Sequence, residues 1–383
     1  MLRGRKREEV RPVGKPDVDP TSWIAILGRR DEPTDALEDY CIWLGRALTG
    51  HGRTLELVRV SWSERGWPAA LLWLWRASSS WRGQWALAQY TALAWSRRGF
   101  PTGFLLVLGV LRIRKVRCAV VFHDVQAYGG QRAIDRLRRA CQQWVMRMAG
   151  RWAERSILTV PTEQVRWLPR NATNAAFIPV GANLSGASAV IGADRTSPQA
   201  PRSVAVYGVT GGAGVAREVA DIAYAVRQAK SRVGELRLFV LGRNSTEAEP
   251  ALRRALADSG VDVQILGLLT EERVASALAR ADVLLFVRGG ISSRRGSAIA
   301  AIACGLPVVG YRGEETASPI TQAGLVLAPQ DDREALATAL IRVLTENRLR
   351  QELSEKSKEA HRQYFSWEAI SGSFLKALED EEG

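Results

Sequence analysis

Short apolar runs alternate with segments of helical spacing along most of this chain. In the first half, residues 23–28 read WIAILG, and residues 34–49 then place apolar side chains three and four positions apart. The run at 117–122, RCAVVF, has the length and composition of a buried strand. Other strands are predicted at 54–60, 156–160 and 176–180, and a second helix at 134–155. This alternation predicts a parallel sheet that is covered on both faces.

A second series of the same kind begins after residue 202. Its predicted strands are 203–207, 236–241, 261–266, 283–287 and 307–310. Its predicted helices are 215–230, 247–258, 271–280, 297–304 and 333–346. The sequence therefore predicts an α/β protein in which two doubly wound, Rossmann-like domains stand in tandem and face each other across a cleft. In open sheets of this type, ligands bind beyond the carboxyl ends of the strands.

Shifts in composition suggest where the domains begin and end. We expect a disordered basic arm at 1–20, an N-terminal acceptor-binding domain at 21–190, a linker at 191–202 and a C-terminal donor-binding domain at 203–360. The last segment, 361–383, is expected to form a helix that packs back toward the N-terminal domain. The longest apolar stretches are far shorter than the about 20 residues that span a bilayer, so no transmembrane helix is expected.

The positive charge is concentrated in the first half of the chain. The formal net charge is +13, and residues 51–170 hold 20 Lys and Arg against 6 Asp and Glu. Seven tryptophans lie among the arginines of this region, namely Trp62, Trp67, Trp73, Trp75, Trp81, Trp85 and Trp95. Such a mixture suits the headgroup layer of an anionic membrane, but it equally suits a tryptophan-rich core with a solvated basic rim. No helix-turn-helix, RNP-type motif or zinc module accompanies the charge, so nucleic acid is not an expected partner.

A basic loop follows the predicted strand at 283–287. Residues 288–297 read RGGISSRRGS and lead into a helix of small residues. Gly296 allows close approach of the backbone, Ser297 can cap the helix, and a helix N-terminus favours an anion. Arg294 and Arg295 can neutralise two phosphate charges. The loop predicts a phosphate site, although a solvated basic turn would have the same composition.

From residue 203 to 375 the chain resembles the donor-binding half of retaining glycosyltransferases of family 4, which have two Rossmann-like domains. The stretches that carry this resemblance are ADVLLFV at 281–287, AIACGLPVVGY at 301–311, AGLVLAPQDDREALATALIRVL at 323–344 and FSWEAI at 365–370. The first half is similar through EDYCIWLGRALTGHG at 38–52, VVFHD at 120–124, TEQVRWLP at 162–169 and IPVGANL at 178–184. Together the resemblance covers nearly the whole chain.

The chain departs from that family at the positions that hold the donor. Family members usually carry two glutamates eight residues apart, and alignment on IACGLPVV puts those positions at Ser292 and Ala300. The basic residues that usually follow the first strand of the donor domain are also missing, since residues 206–216 read VYGVTGGAGVA. We therefore expect Arg288, Arg294 and Arg295 to meet the phosphate charge, with Arg243 as a further candidate.

The resemblance implies roles for residues at several predicted strand ends. It places His123, which precedes Asp124, beside the donor sugar, where the ring could bind a hydroxyl or a transferring proton, although a lone histidine is also often structural. The expected catalytic residues are His123, Asp124, Arg294 and Arg295. The expected donor-binding residues are Gly208, Arg243, Arg288, Ser292, Ser293, Arg294, Arg295, Gly296 and Ser297. Asp35, Glu38 and Asp39 could contact the acceptor, but acidic residues at a helix start also complement the helix dipole.

These observations predict a retaining hexosyltransferase that moves a sugar from a nucleotide-diphosphate sugar to a lipid-linked or polysaccharide acceptor, in surface polysaccharide or glycolipid synthesis. No cofactor and no metal are expected, because no DxD-like acidic pair stands at a strand end of the donor domain. The other expected partner is an anionic membrane surface, with the protein in the cytoplasm or peripheral on the inner face of the cell membrane.

Two other interpretations stay open. A catalytically inactive binding or scaffold protein of a polysaccharide assembly system would explain the missing glutamates. A nicotinamide-dependent enzyme would need GxGxxG after a first strand, and GVTGGAG at 208–214 matches that motif only loosely.

Overall fold

The computed structural model describes residues 21–130, 132–184 and 201–379, which form two parallel sheets of six strands each. The first sheet contains β1 (Ser22–Leu27), β2 (Thr54–Arg59), β3 (Trp85–Tyr90), β4 (Arg117–Phe122), β5 (Arg155–Leu158) and β6 (Ala175–Phe177). The second contains β7 (Arg202–Tyr207), β8 (Leu236–Leu241), β9 (Asp262–Gly267), β10 (Val283–Gly290), β11 (Val308–Tyr311) and β12 (Leu325–Ala328). The strand orders are β2-β1-β3-β4-β5-β6 and β12-β11-β10-β7-β8-β9. The predicted α/β fold with two Rossmann-like domains is confirmed.

Helices cover both sheets. Those of the first half are α1 (Ala36–Thr49), α2 (Trp62–Arg65), α3 (Trp67–Ala77), α4 (Gly103–Ile113) and α5 (Ala133–Trp152). Those of the second half are α6 (Val215–Val233), α7 (Ser245–Leu256), α8 (Glu271–Ala279), α9 (Gly296–Ala303), α10 (Arg333–Thr345), α11 (Asn347–Ala360) and α12 (Trp367–Glu379). Within the described part of the chain, none of them is both long and apolar enough to cross a bilayer. The expected arm at 1–20 and residues 191–200 of the expected linker lie outside the described residues.

Strand β3 was missed in the sequence, although it lies at the middle of the first sheet. It pairs with β1 on one side and with β4 on the other, in parallel register from Trp85 opposite Arg117 to Tyr90 opposite Phe122. Every residue of the strand is buried. Its sequence, WALAQY, has neither polar alternation nor β-branched residues, so the local pattern gave no strand signal. The edge strand β12 of the second sheet was missed as well.

The two faces of the first sheet are covered by different helices. Side chains of α3, α4 and α5 pack with one face, which presents Ile24, Ala88 and Phe122 among others. Side chains of α1 and α12 pack with the opposite face, which presents Trp23 and Leu87 among others. The outer side of the α3–α4–α5 layer therefore points away from the sheet.

The tryptophans of the basic region divide between core and surface. Trp62, Trp81, Trp85 and Trp95 are buried, so the core interpretation is correct for these four. The indole N–H groups of Trp62 and Trp95 donate to the carbonyl oxygens of Ala94 and Gln89, at 2.9 and 2.8 Å, which satisfies them inside the core. Trp67 stacks on Trp62 and is half-buried. Only Trp73 and Trp75, both on α3, are exposed among the seven.

The C-terminal helix α12 returns from the second half of the chain to the first sheet. Trp367, Ile370, Phe374 and Leu378 pack with Trp23, Tyr40 and Leu44 in one buried cluster. The indole N–H of Trp367 donates to the carbonyl oxygen of Ala182 at 2.8 Å. This helix thereby ties the end of the chain to the first domain.

Candidate active site

The carboxyl ends of the two sheets face one another across a cleft, because strand-end loops from both halves of the chain touch there. The backbone N–H of Val180 donates to the carbonyl oxygen of Ser293 at 3.0 Å. Arg294 approaches Asp124 at 3.7 Å, and Arg243 pairs with Asp31 at 2.9 Å. The cleft therefore brings together the loop after β4, with His123 and Asp124, and the loop after β10, with the arginines.

Arg288 lies at the end of β10 and reaches over Gly208, the residue that follows β7. A Cβ atom at Gly208 would lie 2.9 Å from the guanidinium of Arg288, and Gly208 has a φ of +81°, so only glycine suits this position. Burial, followed by the charge of Arg243, lowers the pKa of Arg288. The guanidinium is thus held close to the backbone of the loop after β7.

Arg295 is the second cation of this edge. Burial and the neighbouring charge of Arg294 lower the pKa of Arg295 to about 10. The Nε atoms of Arg288 and Arg295 and the Oγ of Ser293 are buried and have no hydrogen-bond partner among the described residues. Buried donors without acceptors are costly, so an anion that accepts hydrogen bonds from them would be stabilised.

Arg294 forms an ion pair with Glu315, a residue that was not predicted from the sequence to belong to the site. Its Nε donates to Glu315 Oε2 at 2.7 Å and its terminal nitrogen to Oε1 at 3.2 Å. Burial lowers the pKa of Arg294, but the hydrogen bonds and charge of Glu315 outweigh burial and raise it. Arg294 is therefore a paired cation, unlike Arg288 and Arg295.

Glu315 comes from the loop after β11 and also contacts Ser292, whose hydroxyl donates to Glu315 Oε2 at 3.2 Å. Ser292 and Ala300, the positions where the resemblance leads one to expect glutamates, are both buried. A carboxylate thus stands beside Ser292, although it arrives from another loop. The available signal was that Glu315 follows a strand whose carboxyl end shares the edge with β10.

The start of α9 differs from the expectation. The helix begins at Gly296, and Arg295 occupies the capping position without a side-chain cap. Ser297 lies inside the first turn, so the prediction that it caps the helix is wrong. Arg295 is the last residue with non-helical dihedral angles, at φ −88° and ψ 84°, so the helix begins one residue earlier than expected.

Arg243 faces the first domain. Its Nε donates to the Thr34 hydroxyl at 2.9 Å, one terminal nitrogen pairs with Asp31 at 2.9 Å, and the other contacts the Thr34 carbonyl oxygen. Each of its three nitrogens thus has a partner in the first domain, so Arg243 bridges the two domains at the rim of the cleft.

The three acidic residues at the start of α1 have different surroundings. Asp35 accepts hydrogen bonds from the backbone N–H groups of Leu37 and Glu38 as the helix cap, and it pairs with Arg59 at 2.9 Å. Glu38 pairs with Arg30 and Arg59. Burial and then the charge of Glu271 raise the pKa of Asp39. Asp35 and Glu38 thus have structural partners, whereas Asp39 lies where the second domain approaches.

His123 is held by its neighbours at the carboxyl end of β4. Its Nε2 lies 2.8 Å from Gln89 Oε1, and its ring packs against Tyr40 in a T-shaped arrangement with a centroid distance of 4.8 Å. Burial lowers the pKa of His123 to about 4, so the ring is neutral near pH 7. Burial raises the pKa of the adjacent Asp124, against the opposing charges of Arg294 and Arg295.

The described residues contain no group of three or more His, Cys, Asp or Glu side chains that could hold a metal ion. Near the arginines of the loop after β10, the candidate site holds the ring of His123, the hydroxyl groups of Ser292 and Ser293, and the carboxylates of Asp124 and Glu315.

Comparisons with known proteins agree with this architecture. Residues 208–346 match the family model of glycosyl transferases group 1. The sucrose-phosphate synthase of Thermosynechococcus elongatus is similar over 94% of this chain and 98% of its own, with a TM-score of 0.66 at 18% identity. A glycosyltransferase from Rickettsia africae is similar over 95% and 100%, with a TM-score of 0.65 at 11% identity. No curated protein sequence matches the chain significantly.

Anabaena HepE, solved in complex with UDP and glucose, is similar over 94% of this chain and 100% of its own, with a TM-score of 0.64 at 12% identity. At such identities these structures establish the fold. Residues 208–346 are therefore similar to the glycosyl transferases group 1 family, and they lie within a two-domain fold that the chain shares with these solved structures.

Proposed function

We propose that this protein transfers a hexose from a nucleotide-diphosphate sugar to an acceptor hydroxyl, with retention of configuration. The observation that carries the proposal is the convergence of Arg288, Arg294 and Arg295 at one edge of the cleft, where two of them keep buried N–H donors without an acceptor. A diphosphate offers the charge and the acceptor oxygens that these donors lack. HepE was solved with UDP, which supports a donor of this class.

The arginines would act on the leaving group. As the bond between the anomeric carbon and the diphosphate oxygen breaks, negative charge develops on that oxygen, and fixed cations in a water-poor cleft stabilise it. The acceptor hydroxyl attacks from the same face and passes its proton to the departing phosphate. This route needs no protein nucleophile, which fits a site without the two glutamates.

The transfer is proposed to need no divalent metal, because arginines neutralise the diphosphate. We expect transfer to continue at an undiminished rate in EDTA. A rate that falls to background in EDTA and returns with magnesium or manganese would contradict this part of the proposal.

A ligand screen tests the donor class. We expect one nucleoside diphosphate among UDP, GDP and ADP to raise the melting temperature, as ligands of the folded state do, and NAD to leave it unchanged. The matching nucleotide sugar should then support transfer to an added glycan or lipid-linked acceptor. Stabilisation by NAD alone would reject the glycosyltransferase proposal.

The acceptor is proposed to be lipid-linked or a growing polysaccharide presented at an anionic membrane. The α3–α4–α5 layer exposes apolar side chains from all three helices, including Trp73, Leu106 and Trp144. Helices α3 and α4 contain no acidic residue, and the one acid of α5, Asp135, pairs with Arg138 at 2.7 Å. An apolar face with unopposed arginines is complementary to anionic headgroups.

A catalytically inactive binding protein is the second candidate, favoured by the uncharged residues at Ser292 and Ala300. The two candidates differ in one measurement. An inactive protein would bind the nucleotide sugar with the same selectivity. It would not hydrolyse the nucleotide sugar, and it would not transfer the sugar to any acceptor tested.

A further inference from the structure

Gln89 is a fully buried amide in the middle of the first sheet, and it connects β3 to the cleft. Its Nε2 donates to the carbonyl oxygen of Leu87 at 3.1 Å. Its Oε1 lies 2.8 Å from His123 Nε2. Neither Gln89 nor strand β3 was predicted from the sequence.

These two contacts determine which ring nitrogen of His123 carries the proton. A carbonyl oxygen only accepts hydrogen bonds, so the amide nitrogen of Gln89 must face Leu87 and the amide oxygen must face the ring. An amide oxygen also only accepts, so His123 Nε2 must be protonated. Since burial keeps the ring neutral, Nδ1 carries a lone pair.

The remaining neighbours fix the orientation of the ring. The rings of Tyr40 and His123 are nearly perpendicular, with an interplanar angle of 85°, and the backbone N–H of His123 donates to the Tyr90 carbonyl oxygen at 3.1 Å. Nδ1 has no hydrogen-bond partner among the described residues, and His123 is partly exposed. A lone pair on a fixed ring therefore remains available at the cleft.

We propose that Gln89 is a positioning residue that holds His123 in the Nε2–H form, so that His123 Nδ1 accepts a hydrogen bond from a hydroxyl of the bound sugar or acceptor. In this arrangement His123 recognises a hydroxyl group and gives no proton to the leaving group. The identity of the ligand rests on the proposed function, whereas the state of the ring does not.

The ring state can be measured without any substrate. The chain has three histidines, and a His123→Asn variant identifies the resonances of His123 in protein labelled with ¹⁵N-histidine. Long-range ¹H–¹⁵N correlations near pH 7 should show one neutral form, protonated at Nε2. A ring protonated at Nδ1, or a charged ring, would overturn the proposal.

Variants of Gln89 test whether the amide causes this state. Gln89→Leu keeps the volume but removes the acceptor, and we expect it to give a mixture of both neutral forms. Gln89→Glu, when ionised, should keep a proton on Nε2, because a carboxylate only accepts hydrogen bonds, and its charge should raise the pKa of the ring. The matched control is Gln142→Leu, which removes another buried amide of the same domain, bonded to Tyr128 and Gly99, and should leave His123 unchanged. A single Nε2–H form in Gln89→Leu would contradict the positioning role.

Kinetics then connects the ring to the reaction. We expect Gln89→Leu to lower kcat/KM for transfer in proportion to the fall in the Nε2–H fraction, because only that form keeps a lone pair on Nδ1, so an even mixture would lower it about twofold. Gln89→Glu should recover the loss only at a pH where the ring is neutral, because a charged ring has no lone pair on Nδ1, and Gln142→Leu should show no loss. Absence of transfer in every variant, with the expected ring states, would reject the proposed function and leave the ring assignment intact. Unchanged kcat/KM in Gln89→Leu, with mixed ring states, would reject the role of Nδ1.

Discussion

The arginines of the cleft differ in their partners. This difference predicts which of them contributes to phosphate binding and which to the stability of the fold. Arg295 has no hydrogen-bond partner for its buried Nε among the described residues, whereas Arg294 is bound by Glu315. Arg295, like Arg288, therefore keeps a buried N–H donor available to a phosphate, whereas Arg294 is already paired. The low pKa of Arg295, about 10, still leaves it charged near pH 7.

We therefore predict that Arg295→Ala weakens binding of the stabilising nucleoside diphosphate by about 1.5 to 3 kcal/mol, the range of a charge-assisted hydrogen bond. Arg295→Lys should recover only part of the affinity, because an ammonium lacks the planar donor pair. Titration calorimetry measures the nucleotide affinities of both variants. The control is Arg348→Ala, which removes an exposed arginine of α11. Unchanged affinity in an Arg288→Ala, Arg295→Ala double variant would place the phosphate site elsewhere.

The pair of Arg294 and Glu315 predicts an effect on stability. Arg294→Ala leaves the nearly buried Glu315 without its cation, and such a change costs about 3 to 5 kcal/mol in the free energy of unfolding. Adding Glu315→Gln should recover most of this loss, since an amide still accepts from Ser292 and carries no charge.

Urea unfolding of the single and double variants measures this coupling. The control is Arg166→Ala, because Arg166 forms an exposed ion pair with Glu314, the residue that precedes Glu315. Exposed pairs contribute no more than about 1 kcal/mol. If the double variant were as unstable as Arg294→Ala alone, the buried charge would not be the cause.

At the scale of elements, the α3–α4–α5 layer is the surface that could meet a membrane. Along α5, Leu137, Trp144, Arg147 and Arg151 are exposed and follow the helical repeat, so they share one side. Val145, Met146 and Ala149 of the same helix are in the core. The helix is thus apolar on its inner side and both apolar and basic on its outer side.

We predict that the protein co-sediments with anionic liposomes at low salt, binds neutral ones poorly and is partly released at high salt. Each arginine near an anionic surface contributes about 1 kcal/mol, so Arg147→Glu with Arg151→Glu should lower binding more than tenfold. Trp144→Ala should reduce the fraction of protein that stays bound to the liposomes at high salt. The control is Arg348→Glu, an exposed charge reversal on the second domain. If the wild-type protein stays in the supernatant at low salt, the membrane proposal fails.

At the scale of the whole molecule, α12 links the two halves of the chain. It follows α11, which contributes Leu353 to the core of the second domain, yet its own Phe374 is fully buried against the first sheet. Loss of that side chain should therefore weaken the first domain in particular.

We predict that Phe374→Ala lowers the free energy of unfolding by about 3 to 5 kcal/mol, the range for a buried phenyl ring replaced by a methyl group. The half-buried neighbour Leu375→Ala on the same helix should cost clearly less. Thermal unfolding with and without the nucleotide measures the effect. The nucleotide should still bind to the Phe374→Ala protein, because the arginines that are proposed to bind its phosphates lie on the second domain. Loss of binding and stability together would mean that the domains do not unfold separately.

Much of the fold could be predicted from the sequence alone. The strands at 117–122 and 236–241 match their predicted bounds, because buried parallel strands are short apolar runs and their ends depend on adjacent residues. The sequence also predicted that Arg288, Arg294 and Arg295 lie at one edge of the second sheet, since the carboxyl ends of parallel strands lie together. Charge and composition placed the basic surface in the first half, but did not separate buried from exposed tryptophans.

What only the tertiary structure decided is how residues far apart in sequence satisfy one another. Strand β3 exists because β1 and β4 pair with both of its edges, and no property of WALAQY requires this. Glu315 reaches Arg294 from a different loop, and Gln89 reaches His123 from a neighbouring strand. Hydrogen bonds and ion pairs form between atoms within about 3 Å, whatever the separation along the chain. Local pattern therefore determines where strands and helices form, while the partners of a buried polar group are known only once the sheets are packed.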